Sequence, residues 1–187
     1  MTDTLIAAWV GGDLIALDKM EVHRRGLRHP AVSVFVMDGA RTLIQRRALT
    51  KYHTPGLWAN SCCTHPHWGE TAEACATRRL SEELGIGGLA MTPAGEVEYR
   101  ADVGGGLTEH EVVRIFTARA PSAALAVAPN PDEVAETRWV DLYDLAAETR
   151  RWPNRFTPWL RIYLARHMDL IFAPHLAQTR AATAAAR

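Results

Sequence analysis

The sequence predicts a single domain of the α/β (α+β) class, in which a mixed β-sheet lies between helices. Its length of 187 residues is that of one domain with its own core. Hydrophobic residues make up 48% of the chain and charged residues 22%, values that are typical of globular proteins. They exclude a chain that is disordered over its whole length. Strand-like and helix-like segments follow one another without the regular strand–helix–strand repeat of a parallel sheet, and this irregular order favours a mixed sheet.

Five segments have the composition or the alternation of strands. The first is apolar and β-branched, as in a buried strand, and Asp38-Gly39 after it favours a turn into the second. In the third and fourth, apolar and polar residues alternate. The five predicted strands are 31–37, 42–45, 96–101, 111–117 and 134–140.

Three segments have a helical pattern. The first, 71–84, is rich in alanine and arginine; Thr71 can cap its start and Gly85 can end it. A short helix is predicted at 141–147. Segment 156–172 carries an apolar stripe with helical spacing, which predicts a third helix. The domain is predicted to span 1–177, and the alanine-rich tail 178–187 is predicted to be a frayed helix or disordered.

Composition also restricts the partners. Lysine plus arginine and aspartate plus glutamate number 21 each, and this lack of a basic excess argues against a dedicated nucleic-acid binder. No segment approaches the length of a membrane span, and no signal-peptide pattern is found. The three cysteines, an odd number with two adjacent, do not form a disulfide framework. We therefore expect a cytoplasmic protein that binds neither nucleic acid nor membrane; its oligomeric state is not predicted.

Segment 58–86 contains the densest group of reactive side chains. Within its predicted helix, Arg79, Glu82 and Glu83 are spaced three and four residues apart and therefore share one face. On an arbitrary helix such a face is most often ion-paired and exposed to solvent.

The same segment resembles the Nudix box, G-x5-E-x7-R-E-U-x-E-E-x-G-U, in which U is a bulky aliphatic residue. The matching positions are Thr64, Glu70, Arg78, Arg79, Leu80, Glu82, Glu83, Gly85 and Ile86. Thr64 replaces the first glycine of the box, and Arg79 replaces the first glutamate of its R-E-U triplet. Nudix hydrolases use the glutamates of this helix to hold divalent ions that activate water against a diphosphate. Because arginine cannot bind a metal ion but binds phosphate, the helix is expected to hold a diphosphate rather than help to cleave it.

The loop at 60–66, NSCCTHP, places two cysteines next to His65. A cysteine in a polar loop beside a histidine is a candidate reactive thiol, although most free cysteines are simply buried. Neighbouring residues of an extended segment point to opposite sides, so only one of Cys62 and Cys63 is expected to be reactive.

Two glutamates and three histidines form a candidate metal site. Glu109 and Glu111 project to one face if their segment, TEHEVV, is a strand. Two buried carboxylates repel each other unless a cation lies between them, whereas on an edge strand both could lie in water. His23 and His29 flank an arginine-rich turn and, taken alone, are typical of surface residues. With His65 and the two glutamates they make a His3Glu2 set suited to manganese, magnesium or zinc.

Several motifs resemble those of the type 1 isopentenyl-diphosphate isomerases, which are Nudix-fold enzymes of isoprenoid synthesis, and they follow the same order along the chain. They are RRA-x-x-K at 46–51 followed by PGLW at 55–58, NSxCxHP at 60–66, E-x-E at 109–111, and S/T-P-W at 157–159. The resemblance covers about residues 5–170. It implies a Nudix-like mixed sheet between helices. It also implies interconversion of isopentenyl and dimethylallyl diphosphate, by protonation at C4 and deprotonation at C2 through a carbocation-like state.

The resemblance implies roles for individual residues. The implied catalytic residues are Cys63, Glu111, Tyr99 and Trp159. The implied diphosphate-binding residues are Lys19, Arg47, Lys51 and Arg79. The implied ligands of a first divalent metal (manganese, magnesium or zinc) are His23, His29, His65, Glu109 and Glu111. A Mg²⁺ ion that bridges to the diphosphate is implied at Glu83 and the backbone carbonyl of Cys63.

Two other functions stay open on the sequence alone. A Nudix hydrolase acting on nucleoside or isoprenoid diphosphates is the first, and Arg79, Cys63 and the strand with Glu109 and Glu111 argue against it. A metal-binding or regulatory module without catalysis is the second, because a fold does not fix a function. The sequence also leaves open whether Cys63 or Glu111 is the acid.

Overall fold

The computed structural model describes the backbone of residues 5–185 and the side chains of residues 5–177. The strands are β1 (Leu5–Val10), β2 (Asp13–Asp18), β3 (Arg28–Asp38), β4 (Arg41–Arg47), β5 (Trp58–Ala59), β6 (Cys62–Thr64), β7 (Thr92–Gly104), β8 (Leu107–Arg119) and β9 (Val134–Asp141). The helices are α1 (Lys19–Arg25), α2 (Ala72–Leu84), α3 (Leu142–Arg151), α4 (Pro158–Arg166) and α5 (Met168–Ala185). Among the described residues, no helix is both long and apolar enough to span a lipid bilayer.

A seven-stranded mixed sheet forms the centre of the fold. Strand β3 pairs in parallel with β8 and antiparallel with β4 and β6. Strand β7 continues the sheet beyond β8, while β5 and β9 pair with β4. Strands β1 and β2 form a separate two-stranded hairpin. The mixed sheet that the irregular order of elements predicted is thus confirmed.

Helices cover both faces of this sheet because β3 is apolar on both sides. Val32, Val34 and Val36 pack on one face with α2 residues such as Leu80. On the other face, residues of β3 such as Phe35 join a second core formed with α3, α4 and α5. A strand buried on both faces is expected to be continuously apolar, as the segment 31–37 is. The predicted sheet between helices is therefore confirmed.

The predicted end signals of α2 are also confirmed. Thr71 Oγ1 accepts a hydrogen bond from the backbone N–H of Ala74 at 3.2 Å, as a helix cap does. Gly85 ends the helix with φ of 66°, and a Cβ atom there would lie 2.9 Å from Ala128. Only glycine fits this position without strain.

Other elements differ from the sequence-based expectations. The predicted helix 156–172 is two helices, because the backbone leaves the helical region at His167, where φ is −128°. Strands β7 and β8 extend to 13 residues each, and α3 continues to Arg151. The hairpin β1–β2 and the short helix α1 were not predicted. Helix α5 is helical up to Ala185, but the side chains of the predicted tail 178–187 lie outside the described residues, so its disorder stays a prediction.

Candidate active site

One pocket brings together most of the residues that the sequence singled out. Its walls come from α1, β4 and the segment that follows it, β6, α2, β8 and α4. The lining residues are Lys19, Arg47, Lys51, Tyr52, His53, Cys63, Thr64, His65, Arg79, Glu109, Glu111 and Trp159. They include all four predicted diphosphate-binding residues and three of the four predicted catalytic residues.

The sheet register places the catalytic candidates side by side. His29 on β3 is opposite Glu111 on β8, and Tyr99 on β7 is opposite the same glutamate. Cys63 on β6 is opposite Ser33 on β3. Because strand pairing fixes these positions, residues far apart in sequence meet in one layer of the sheet.

A buried group of three histidines and one glutamate could hold a metal ion. One potential ligand atom from each of His23, His29, His65 and Glu111 lies within 4.8 Å of all the others. His65 Nε2 lies 2.8 Å from Glu111 Oε1 and 3.1 Å from His29 Nε2. Three imidazoles and a carboxylate are a donor set suited to manganese, zinc or iron.

Two backbone carbonyls set the tautomers of this group. The Nδ1 atom of His23 lies 2.7 Å from the Lys19 carbonyl oxygen, and that of His29 lies 2.7 Å from the Leu27 carbonyl oxygen. A carbonyl only accepts, so each Nδ1 carries the proton and each Nε2 has a lone pair. His23 Nε2 is buried without a hydrogen-bond partner. An orphaned lone pair aimed into a histidine cluster fits a metal ligand, and the carbonyls act as its outer partners.

Burial keeps this histidine neutral. Removal from water lowers the pKa of His23 from 6.5 to about 4, although the hydrogen bond with the Lys19 carbonyl acts in the opposite direction. Neutral imidazole is the form that binds metal ions. Gly26, with φ of 59°, ends α1 and turns the chain so that the rings of His23 and His29 lie 5.0 Å apart.

Glu109 and Glu111 face the same side of β8, as the alternation predicted, and both are buried. The alternative of a solvent-exposed edge strand is therefore wrong, because β8 lies between β3 and β7. The Tyr99 hydroxyl lies 2.9 Å from Glu109 Oε2 and 2.6 Å from Glu111 Oε2. Glu109 also contacts His53, whose Nε2 lies 3.3 Å from Glu109 Oε1. Glu109 thus belongs to a second group of potential ligands, with His23 and His53.

The two carboxyl groups differ in acidity. Burial and the neighbouring Glu111 raise the pKa of Glu109 well above its usual value. Burial acts in the same direction on Glu111, but the neighbouring imidazoles of His29 and His65 hold the pKa of Glu111 well below its usual value. A pair of acids whose pKa values are pushed apart is typical of proton-transfer sites.

The two adjacent cysteines face opposite sides of the sheet, as expected for an extended segment. Cys62 packs in the core beside α2 with Cys75. Cys63 lines the pocket, and its Sγ lies 3.1 Å from Ser33 Oγ. Burial and the nearby carboxylates raise the pKa of the Cys63 thiol, so the thiol keeps its proton. This places a neutral acid group in the same pocket as Glu111.

Four cations converge on the other side of the pocket. Removal from water and the nearby charges of Lys51, Arg79 and Arg47 lower the pKa of Lys19 from 10.5 to about 8. Lys51 pairs with Glu133, and Arg79 Nη2 lies 3.4 Å from the same carboxylate. Lys51 and Arg79 share this glutamate, and Arg79 also pairs with Glu82 and Glu83. Because the four cations outnumber these carboxylates, this side retains a positive excess that an anion such as a diphosphate could neutralise.

Glu83, the predicted magnesium ligand, is engaged by protein groups on both oxygens. Arg79 Nη2 lies 2.7 Å from Glu83 Oε1, and Gln45 Nε2 donates to Glu83 Oε2 at 2.7 Å. Glu83 does not line the pocket directly. Its predicted role stays a prediction.

Comparisons with known proteins identify the family of the chain. The model of the NUDIX domain family matches residues 27–160. A protein of Cereibacter sphaeroides strain ATCC 17025, named isopentenyl-diphosphate Delta-isomerase, is 67% identical over 90% of this chain and 94% of its own length. The chain belongs to the Nudix-type isopentenyl-diphosphate Delta-isomerase family. Proteins of the same name from Dinoroseobacter shibae and Rhodobacter capsulatus are 65% and 56% identical over 90% and 93% of this chain, and 95% and 98% of their own lengths.

Solved structures show the fold independently of this family. A Deinococcus radiodurans protein has a TM-score of 0.69 at 15% identity and covers 87% of this chain and 97% of its own. A MutT NUDIX hydrolase from Burkholderia pseudomallei has a TM-score of 0.58 at 24% identity and covers 75% and 98%, respectively. At such identities the likeness supports the Nudix fold that the sequence predicted.

This isomerase-family chain also contains site residues that the sequence reasoning missed. Ser33 is the one polar residue in the apolar segment 31–37, and that isolation was a usable signal. His53 lies between two recognised motifs, RRA-x-x-K and PGLW. Gln45 and Glu133 had no signal in the sequence, because their roles depend on which charged groups the fold places beside them.

Proposed function

We propose that the chain interconverts isopentenyl diphosphate and dimethylallyl diphosphate. The observation that carries this proposal is that one pocket contains a thiol (Cys63), a carboxylate (Glu111) and four cations. The cations are suited to binding the diphosphate, and the thiol and carboxylate are suited to transferring protons to and from the hydrocarbon. Membership of the family and the names of its close relatives support the same substrate.

The reaction requires two proton-transfer groups. One proton is added at C4 and another is removed from C2, so that the double bond moves by one position. Each group must lie within hydrogen-bond reach of its carbon. Cys63 and Glu111 come from different strands and are the two groups that we assign to these steps, with Tyr99 hydrogen-bonded to the carboxylate. Because the reaction is reversible, the acid in one direction is the base in the other.

Trp159 is the aromatic residue that we assign to the cationic hydrocarbon. Its indole N–H donates to Asn60 Oδ1 at 3.2 Å, which fixes the ring. The Arg47 guanidinium lies 5.5 Å from the ring centroid, so this ring already faces a positive group. Attraction between a cation and a desolvated indole face contributes about 2 kcal/mol. An indole stabilises a carbocation without capturing it as a nucleophile.

The metal ions complete the proposed site. The first divalent metal would be held by His23, His29, His65, Glu109 and Glu111, and the orphaned Nε2 of His23 supports this assignment. A Mg²⁺ ion would be held by Glu83 and the Cys63 carbonyl beside the diphosphate. When bound, these ions supply positive charge that binds the diphosphate and modifies the acidity of nearby carboxylates.

Isotope exchange tests the function directly. Purified protein is incubated with magnesium, manganese and isopentenyl diphosphate in heavy water, and carbon positions and phosphate are followed by NMR. We expect deuterium at C2 and C4 and the appearance of dimethylallyl diphosphate without release of phosphate. Phosphate release without deuterium incorporation would instead indicate a hydrolase. Absence of both signals would contradict an enzymatic role.

The substitution Arg79→Ala is expected to weaken substrate binding. Its guanidinium lines the pocket, and hydrogen bonds to charged groups contribute roughly 1.5–3 kcal/mol each, equivalent to a 10- to 100-fold rise in KM. Arg78→Ala is the matched control, since Arg78 pairs with Glu70 at 2.7 Å and lies outside the pocket lining. Equal KM values for Arg79→Ala and the wild type, measured in steady-state assays, would contradict the phosphate-binding role.

The activity is expected to fall at alkaline pH because of Lys19. With its pKa lowered to about 8, this lysine is charged below that pH and loses its charge above it. We expect kcat/KM to fall about tenfold or more between about pH 7 and pH 10, since one charged contact to the diphosphate is lost. Lys19→Arg keeps the charge at all these pH values and should flatten the profile. An unchanged alkaline fall in Lys19→Arg would assign it to another group.

A further inference from the structure

His53 lies between the diphosphate-binding side of the pocket and its metal-binding side. The residue is 5% exposed. On one side, its Nε2 lies 3.3 Å from Glu109 Oε1. On the other, its Nδ1 lies 3.1 Å from Thr54 Oγ1 and 3.5 Å from Arg47 Nη2. The imidazole therefore contacts a predicted metal ligand and a predicted diphosphate ligand at the same time.

The chemistry of these neighbours favours one tautomer of His53. A guanidinium only donates hydrogen bonds, and an ionised carboxylate, the form in which Glu109 would bind a metal ion, only accepts them. With Arg47 on the Nδ1 side and Glu109 on the Nε2 side, the proton belongs on Nε2. A neutral ring in this tautomer donates its N–H to the Glu109 carboxylate.

The backbone around His53 is held in an unusual conformation. Arg47 Nη2 donates to the His53 carbonyl oxygen at 3.1 Å. The next residue, Thr54, has φ of 45°, which is rare and strained for a β-branched side chain. The His53 ring also packs edge-on against Trp159, with the ring centroids 5.9 Å apart. Strain of this kind persists only where several contacts fix the segment, and here those contacts fix the imidazole.

We propose that His53 is a positioning residue that holds the Glu109 carboxylate for a divalent metal and connects this carboxylate to the Arg47 guanidinium. This inference rests on the proposed function in taking Glu109 as a metal ligand. His53 Nε2 lies 3.3 Å from Glu109 Oε1, and both residues belong with His23 to one group of potential ligands, so the imidazole is placed to fix the orientation of this carboxylate. Groups that hydrogen-bond a metal ligand from outside usually change metal affinity 10- to 100-fold when they are removed.

The test compares two substitutions that separate packing from hydrogen bonding. His53→Phe keeps an aromatic ring beside Trp159 but has no N–H, whereas His53→Gln keeps a donor. The Mn²⁺ affinity of the full-length chain, freed of metal beforehand, is measured from the electron paramagnetic resonance signal of free Mn²⁺. We expect about 10- to 100-fold weaker binding for His53→Phe and a recovery to within about threefold of wild type for His53→Gln. His67→Phe, at an exposed histidine, is the control and should bind as the wild type does.

Three other results would contradict the proposed role of His53. Wild-type affinity in His53→Phe would show that the N–H does not position the carboxylate. Equal losses in His53→Phe and His53→Gln would show that the imidazole itself is needed, and so would reject a role through hydrogen bonding. Absence of Mn²⁺ binding by the wild type would reject the proposed metal site, and this inference with it. Cooperative thermal unfolding of both variants excludes loss of the fold as the cause.

Discussion

Cys63→Ala is expected to abolish isomerisation, while Cys62→Ala retains it. The Cys63 thiol lines the pocket and keeps its proton, because burial raises its pKa. Removing one of the two groups that we assign to proton transfer leaves no partner for one of the two protons that the reaction moves. General acid–base groups contribute roughly 10²–10⁴-fold, and the loss in kcat is expected to be at least of this order. The measurement is the rate of dimethylallyl diphosphate formation.

Cys62 is a closely matched control for this experiment. It neighbours Cys63 in sequence and is also buried, but it packs in the core beside α2 on the other side of the sheet. Cys62→Ala removes one sulfur atom from that core and leaves the pocket lining unchanged. Equal loss of activity in the two variants would reject Cys63 as the reactive thiol. Cys63→Ser adds a further check, since a hydroxyl fills the same space but is a much weaker acid than a thiol.

Glu111→Gln is expected to eliminate turnover without unfolding the protein. Glutamine has nearly the shape of glutamate and can still hydrogen-bond Tyr99, but it has neither the charge nor the titratable proton. Two functions are lost together, because we assign the carboxylate to proton transfer and it is also a candidate metal ligand. We expect a fall in kcat of about 10²–10⁴-fold or more, with an unchanged circular dichroism spectrum. Mn²⁺ affinity, measured on the same sample, should fall as well.

Glu98→Gln is the control for this substitution. Glu98 lies on the neighbouring strand β7, but its carboxylate is exposed and pairs with Arg28 at 2.9 Å. Exposed ion pairs contribute about 0–1 kcal/mol, so this variant should keep both its stability and its activity. An active Glu111→Gln variant, within about tenfold of wild type, would show that another group transfers the proton.

Much of the fold could be predicted because it follows local rules. The apolar, β-branched segment 31–37 is a strand buried on both faces, and the cap at Thr71 and the stop at Gly85 lie where the sequence indicated. The hairpin β1–β2 and helix α1 were missed because they are short, so their patterns are weak. The break at His167 was missed because the apolar stripe continues across it.

Part of the site could also be predicted from a local rule, the alternation of side chains along a strand. Alternation alone placed Glu109 and Glu111 on one face and separated Cys62 from Cys63, since a strand has a period of two. Whether that face was buried was left open, because burial depends on which strands lie on either side. Only the tertiary structure, with β8 between β3 and β7, decided that both carboxylates are buried.

The sequence by itself determined which residue types are available and the order of the motifs that carry them. That was sufficient to predict the family, a result that the comparisons confirm. The tertiary structure alone decided which of these groups lie within hydrogen-bond or ion-pair distance of one another: Glu111 with His65, Lys51 with Glu133, and His53 with Glu109. The physical reason is that hydrogen bonds and pKa values depend on distances of a few ångströms and on burial. Both are set by the pairing of strands that are far apart in the chain.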